Sequence, residues 1–323
     1  MTSFSRRNFV LSAAGAAAVF GLNKPVEFIP SAYAQKGPEL KPFAKFKVGD
    51  AEVTTIFDGA WERPHDPGFV RNASLDDVKA ALRANGQSDA HLPITFTVTV
   101  VKLGGKTIMF DSSTGGQTGG PNTGLVLASG MKAAGIDPAS ISTILVTHFH
   151  GDHIFGLMAK DTNAQTFPNA EIVVSANEYK FWTDPSVIDR LPAPAQGLAK
   201  RVQATFPAWK NIRQAESGTE VSPGIRAMAS HGHTPGHMSY VVGSGASQLW
   251  VTGDITNIPA LNVKNPGWHI VFDAIPELAE KSRRDTFEKA IAEKAVLTGY
   301  HWGMPGAGTM VKDGNGYALV PVA

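Results

Sequence analysis

Thr147-His148-Phe149-His150-Gly151-Asp152-His153 places three of the chain's ten histidines and one aspartate within seven positions. His148 and His150 stand two apart, so in extended backbone both imidazoles project from one face. Gly151 then permits a sharp turn that brings Asp152 and His153 round to the same space. Three imidazoles and a carboxylate from one loop suit zinc or another first-row divalent ion.

The loop follows Ile141 to Thr147, a run of β-branched and apolar residues that reads as a buried strand. Three more candidate ligands stand at predicted strand ends. His237 follows the turn Thr234-Pro235-Gly236, Asp254 follows Gly253 after Leu249 to Thr252, and His301 ends Ala295 to Tyr300. Seven ligands from four segments can hold two ions roughly 3.5–4 Å apart, with Asp254 as the natural bridge. His231 and His233, just before the turn, read as packing or supporting groups, and are left out of the ligand set. His65, His91 and His269 have no ligand partners in sequence and read as solvent-facing or hydrogen-bonded, although His269 beside Trp268 could line a pocket.

Elsewhere the chain alternates strands and helices without an obvious linker, which predicts one domain over residues 35–323. Strand-like alternation appears at Ala51 to Phe57 and Ile94 to Leu103, followed by Thr107 to Phe110, and further strands are expected at Glu171 to Ser175, Ile225 to Ala229 and Met238 to Val242. Ser74 reads as the cap of a helix that Asn85-Gly86 stops, and further helices are expected over Leu125 to Ala134, Asn177 to Trp182 and Arg284 to Lys294. The glycine-rich stretch Ser112 to Gly124 lacks the Gly-Lys-Ser/Thr ending of a phosphate-binding loop and reads as a flexible connection beside the site. Pro185 to Gly197 reads as irregular, a candidate lid or insertion.

The residues His148-x-His150-x-Asp152-His153, Thr234-Pro235-Gly236-His237, Gly253-Asp254 and His301 resemble the metallo-β-lactamase superfamily over most of residues 35–323. Within it, "ASHGHTPGHMSYVV", "FWTDP" and "GYALVPV" are most similar to the methyl parathion hydrolase-like group and its lactonase relatives. The resemblance implies an αββα sandwich with metals at one edge of the two sheets. It further implies that His148, His150 and His237 take one metal, that Asp152, His153 and His301 take another, and that Asp254 spans both. The absence of cysteine sets the chain apart from β-lactamases that use a thiolate ligand. A histidine at His150, where diiron relatives carry glutamate, counts against an oxygen-reducing centre.

Composition narrows the function further. Ser5-Arg6-Arg7 ahead of the apolar run Val10 to Leu22 looks like a twin-arginine export signal, with cleavage expected after Ala34 and a periplasmic product. The run falls short of the ~20 residues that cross a bilayer, so no permanent membrane anchor is expected. The full chain carries +1; Arg6, Arg7, Lys24 and Glu27 together carry +2, leaving −1 beyond residue 34. No basic patch supports a nucleic-acid partner, and the export machinery is the one protein partner expected.

These features predict a hydrolase with two divalent ions, zinc suiting the ligands best, in which a bridging hydroxide attacks a small neutral ester such as a lactone or aryl ester. Asp254 and Asp152 are the expected catalytic carboxylates. A phosphotriester is the second substrate class. Phosphotriesterase relatives crowd aromatics around the leaving group, and Ser112 to Gly124 contains none. Trp182, Trp268 and Trp302 are the candidate pocket walls, with Phe272 beside them. A metal-binding protein without turnover, or an iron redox protein, is the reading of a different class.

Overall fold

Apolar alternation along the strands assigns each layer. In β3 (Leu92–Leu103) Val98 and Val100 face one core while Val101 faces another, and in β4 (Lys106–Phe110) Met109 is set against Ile108 and Phe110. The computed structural model describes residues 42–245 and 247–322. The export signal assigned to residues 1–34 lies outside them.

Two seven-stranded sheets result, one from each half of the described sequence. The first adds β1 (Phe43–Val48), β2 (Ala51–Arg63), β5 (Ile141–Leu145), β6 (Glu171–Ser175) and β7 (Ile212–Ala215) to β3 and β4, in chain order. It is antiparallel from β1 to β4 and parallel from β4 to β7. The second runs from β8 (Glu220–Ser222) through β9 (Ile225–Ala229), β10 (Met238–Ser244), β11 (Ser247–Val251), β12 (Val296–Thr298) and β13 (Ala307–Asp313) to β14 (Gly316–Pro321). Only β11 and β12 pair in parallel there.

Between the sheets Val53, Val101, Phe110 and Leu145 of the first pack with Ile225, Tyr240, Leu249 and Val251 of the second. The outer face of the first is covered by α1 (Leu75–Ala84), the one-turn α2 (Gly151–Ile154), α3 (Ala176–Thr183) and α4 (Ala193–Thr205); Val78, Leu82, Ile154, Trp182, Ala199 and Val202 join that core. Phe287 and Ala290 of α5 (Pro276–Glu293) cover Val241, Trp250 and Leu297 on the outer face of the second. The layers are helix, sheet, sheet, helix, the αββα sandwich expected from the sequence. Among the described residues no helix is long and apolar enough to cross a membrane.

Several expectations are corrected. Pro185 to Gly197 is helical, with a turn over Val187–Arg190 and the start of α4. Pro192 and Pro194 sit at the cap and first turn of α4, where a missing N–H costs nothing. The Leu125 to Ala134 segment opens as a π turn over Val126–Gly130 before its α turn. Short β7 and β8, and the β13–β14 hairpin, were not anticipated; Gly314-Asn315 forms the hairpin's tip, with Gly314 at φ 59°.

The direction of the strands sets the site. The C-terminal ends of β4, β5, β6, β9, β11 and β12 all reach one edge of the sandwich, and two bonds lace the sheets there. Met238 N donates to Thr147 O (2.9 Å), and the buried Tyr240 hydroxyl donates to Val146 O (2.7 Å). Tyr240→Phe strands that carbonyl, and is expected to lower unfolding free energy by about 1–2 kcal/mol in urea titrations; an unchanged midpoint would show that the bond contributes nothing.

Candidate metal centre

At that edge the loops after β5, β9, β11 and β12 deliver two convergent groups: His148, His150, His233 and Asp254, and Asp152, His153, His301 and Asp254. In the first, His150 Nδ1 lies 3.0 Å from both His148 Nε2 and His233 Nε2, and Asp254 Oδ2 lies 3.3 Å from His233 Nε2. In the second, Asp152 Oδ2 lies 3.4 Å from His153 Nε2 and 3.5 Å from His301 Nε2. Asp254 closes that group too, with Oδ1 3.2 Å from His153 Nε2 and Oδ2 2.9 Å from His301 Nε2.

These spacings fit a cation in each group. Tetrahedral zinc with bonds of about 2.0–2.2 Å separates its ligand atoms by about 3.3 Å. His153 Nε2 and Asp254 Oδ1 are buried without a hydrogen-bond partner although they are 3.2 Å apart, because they face a common point rather than each other. An imidazole-rich set with two carboxylates and no thiolate is a donor set for zinc-like divalent ions.

The expectation for His237 is corrected. His237 is fully buried behind the groups, where its Nε2 accepts from the Asp254 N–H (3.0 Å) and its Nδ1 meets Ser230 Oγ (2.8 Å). Both ring nitrogens are occupied, and His237 instead shapes the loop that carries Asp254. Gly253 leaves no room for a side chain there: its φ is +54° and a Cβ would lie 2.7 Å from His237 Nε2. His233, assigned to packing from the sequence, stands in the site. Two histidines flank the same Thr-Pro-Gly turn, and sequence spacing alone does not separate them.

Buried groups hold the ligands from behind. Asp111, at the end of β4, accepts from His153 Nδ1 (2.8 Å) and from the Thr147 N–H (2.7 Å). His301 Nδ1 donates to Thr95 O (2.7 Å), and the Tyr300 hydroxyl donates to Asp152 O (2.6 Å). The wholly buried Glu178 of α3 joins the two histidine loops. Its Oε1 accepts from Phe149 N (3.0 Å) and Trp182 Nε1 (2.7 Å); its Oε2 accepts from Thr234 Oγ1 (2.8 Å) and Gly236 N (2.9 Å). Asp111 obeys the strand-end pattern that picked out Asp254 and was still missed; Glu178 carries no sequence signal of that kind.

Burial would make His153 and His301 hard to protonate, but the carboxylates of Asp254 and Asp152 overcome it and hold both above the usual histidine range. Burial pushes His148 well down and His150 to about 3. Asp152 falls to about 2, where His153 and His301 outweigh desolvation.

The groups form the floor of a cleft of about 320 Å³ that reaches His150, Asp152, Asp254 and His301. Its walls are Trp61, Ile94, Phe96 and Phe272, with Thr118 and Gly119 from the glycine-rich stretch and Pro194 and Ala195 from α4. Ser112 to Gly124 thus lies beside the site, tied down by Asp58, which accepts from Thr114 and Val126. The three tryptophans expected as walls are corrected. Trp182 is buried behind His150, ring centroids 6.3 Å apart. Trp302 donates to Thr256 Oγ1 (2.6 Å) within the outer core of the second sheet, and Trp268 packs against the core of the first without lining the cleft. Phe272 alone of the expected apolar residues is in place; Trp61 and Phe96, from the adjacent strands β2 and β3, were missed. His269 pairs with Glu280 (2.8 Å) outside the cleft, His65 Nε2 meets Asp89 O (2.8 Å), and His91 lies 3.8 Å from Glu62.

Fold and site together define a two-sheet metallo-protein whose ligand groups share one carboxylate. The chain matches the metallo-β-lactamase superfamily over residues 97–297 and belongs to it. It is 27% identical over 170 residues to an N-acyl homoserine lactonase of a Bacillus species, covering 52% of this chain and 58% of that protein. Over 101 residues it is 38% identical to the uncharacterised YobT of Bacillus subtilis strain 168, covering 30% and 40%. The chain therefore spans only about half the length of these curated relatives. Among solved structures, the dizinc quorum-quenching lactonase AidC superposes with a TM-score of 0.81 at 24% identity, and the hydrolase AbOPH with 0.80 at 26%; both cover 88% of this chain and 99% of theirs.

Because the carboxylates of Asp254 and Asp152 raise the proton affinity of His153 and His301, cation uptake competes with protonation of these rings, and affinity rises with pH through their raised pKa values. Zinc titration near pH 7 by calorimetry is expected to show proton release that scales with buffer ionisation enthalpy. Heat independent of the buffer would mean that both rings are already neutral.

Proposed function

We propose that the protein is a metal-dependent hydrolase of small neutral esters, a lactone or an aryl ester, working with two divalent cations of which zinc best suits the ligands. One observation carries this reading: two ligand groups sharing Asp254 form the floor of a cleft whose walls carry no charged side chain. Walls that are largely apolar above a floor bearing two carboxylates favour a neutral substrate over a polyanion. The lactonase resemblance of the relatives points the same way.

In this reading His148, His150 and His233 hold one cation, Asp152, His153 and His301 hold the other, and Asp254 spans them. Cations bound there would supply Lewis acidity and lower the pKa of an attacking water towards neutrality. The residues do the rest. Asp254 would fix the separation of the groups, Trp61, Ile94, Phe96 and Phe272 would seat the apolar part of the substrate, and Asp152, an ionised carboxylate 21% exposed to the cleft, would take the proton released by the attacking water and pass it to the leaving oxygen. No cysteine or serine nucleophile is required.

Trp61, Phe96 and Phe272 favour a phosphotriester as second reading, since the aromatics absent from Ser112 to Gly124 arrive from other elements. We further propose export by the twin-arginine route, leaving the mature protein in the periplasm; Arg6→Lys with Arg7→Lys is expected to retain it in the cytoplasm on cell fractionation, and unchanged periplasmic yield would refute the signal.

Zinc-loaded protein is expected to hydrolyse an acyl lactone or an aryl ester faster than a paraoxon-like triester. Chelator should abolish turnover and zinc restore it. Asp254→Ala is expected to lose activity about 100-fold or more at saturating zinc. Faster triester hydrolysis would reverse the ranking, while an inert panel would favour a non-catalytic metal protein.

A further inference from the structure

Behind His233 lies a charged pair that the hydrolytic reading does not use. Asp273 and Arg283 are both wholly inaccessible to solvent, and Arg283 NH2 donates to Asp273 Oδ2 (3.2 Å). Asp273 Oδ1 lies 3.0 Å from His233 Nδ1. Arg283 also donates from Nε to Ile255 O (2.6 Å), the residue after Asp254, and from NH1 to Pro266 O (2.5 Å). The segment that carries Asp273 is seated on the His233 loop by Ala274 N to His233 O (3.1 Å) and Ile275 N to Gly232 O (2.9 Å). Gly232 also lets the first turn of α5 pack against this loop, since a Cβ there would lie 2.1 Å from Ala279 N.

A buried ion pair contributes little net stability over apolar residues of the same size. What this pair does, and an apolar pair would not, is present a charged acceptor to one specific ring nitrogen. A proton held on Nδ1 leaves the Nε2 lone pair directed into the ligand group, and a carboxylate acceptor raises the ring's donor strength. The other imidazoles of that group lack such a partner: His148 Nδ1 faces the Thr147 hydroxyl (3.0 Å), and His150 Nδ1 itself points into the group.

We propose that Asp273, locked by Arg283, is the positioning residue for the cation held by His148, His150 and His233, and that Arg283 sets the Asp254 loop against that group through Ile255. The assignment rests on the two-cation reading above. It separates the two positions: loss of the pair weakens the His233 group most, and reaches the Asp152–His153–His301 group only through the shared Asp254.

The test is a zinc titration of the full protein competed by a chromophoric chelator, on wild type, on the double variant Asp273→Asn with Arg283→Met, and on Arg283→Lys. The double variant removes both charges, so neither is left buried alone. The lysine variant keeps a cation opposite Asp273 but cannot reach all three acceptors, and it serves if the double variant does not fold. Wild type is expected to take up two equivalents. In the double variant one of them is expected to weaken on the order of 10–100-fold and the other by much less, and Arg283→Lys should fall between. Cobalt-loaded protein should lose visible-band intensity chiefly for one equivalent. Two unchanged affinities, or an equal loss at both positions, would overturn the assignment. Fewer than two equivalents in wild type would overturn the two-cation reading and this proposal with it, whereas two equivalents with an inert ester panel would leave the proposal standing and sink only the substrate.

Discussion

Asp254 is a carboxylate almost wholly removed from water, with His153, His233 and His301 all within 3.3 Å of its oxygens. Desolvating a lone carboxylate costs several kcal/mol, so it is stable there only among positive partners. His153 and His301, whose proton affinity the carboxylates of Asp254 and Asp152 raise, can fill that role without metal, and divalent cations would fill it when bound. The rest of the architecture can be understood as what is needed to bring four loops to this one group. Neither sheet could do so alone, because the first supplies His148, His150, Asp152 and His153 and the second supplies His233, Asp254 and His301.

Five imidazoles must be held in fixed orientation while they converge, and the supports divide that work. Asp111 lies behind His153, and Asp273 with Arg283 lies behind His233. Glu178 ties the backbones of the two histidine loops without touching a ligand ring. None of these groups is available to substrate. Their cost in burial is balanced by four donors at Glu178 and by paired charge at Asp273, consistent with a site set before its cations arrive.

Much of the fold was legible because strands with a core on both faces read as short, nearly continuous runs of β-branched and apolar residues between turn signals, and Glu171 to Ser175 and Ile225 to Ala229 were read to the residue. Six of the seven expected ligands converge because loops at strand ends have few directions to take. What failed depended on the third dimension. His233 and His237 flank one turn with equal claims, and the choice between them is made by Ser230 and the Asp254 N–H, which lie seven and seventeen residues from His237. The cleft walls failed similarly: Trp302 and Phe96 are both apolar aromatics near the site, but strand β3 points Phe96 at His301 while Trp302 turns to Thr256. Prolines read as breakers in Pro185 to Gly197 because their place in a first helical turn depends on where the helix begins.

The most direct measurement is anomalous scattering at the zinc edge from crystals of zinc-loaded protein. Two peaks roughly 3.5–4 Å apart are expected, spanned by Asp254, with His233 bound to one and His237 bound to neither. A single peak, or a zinc bound by His237 in place of His233, would contradict the account.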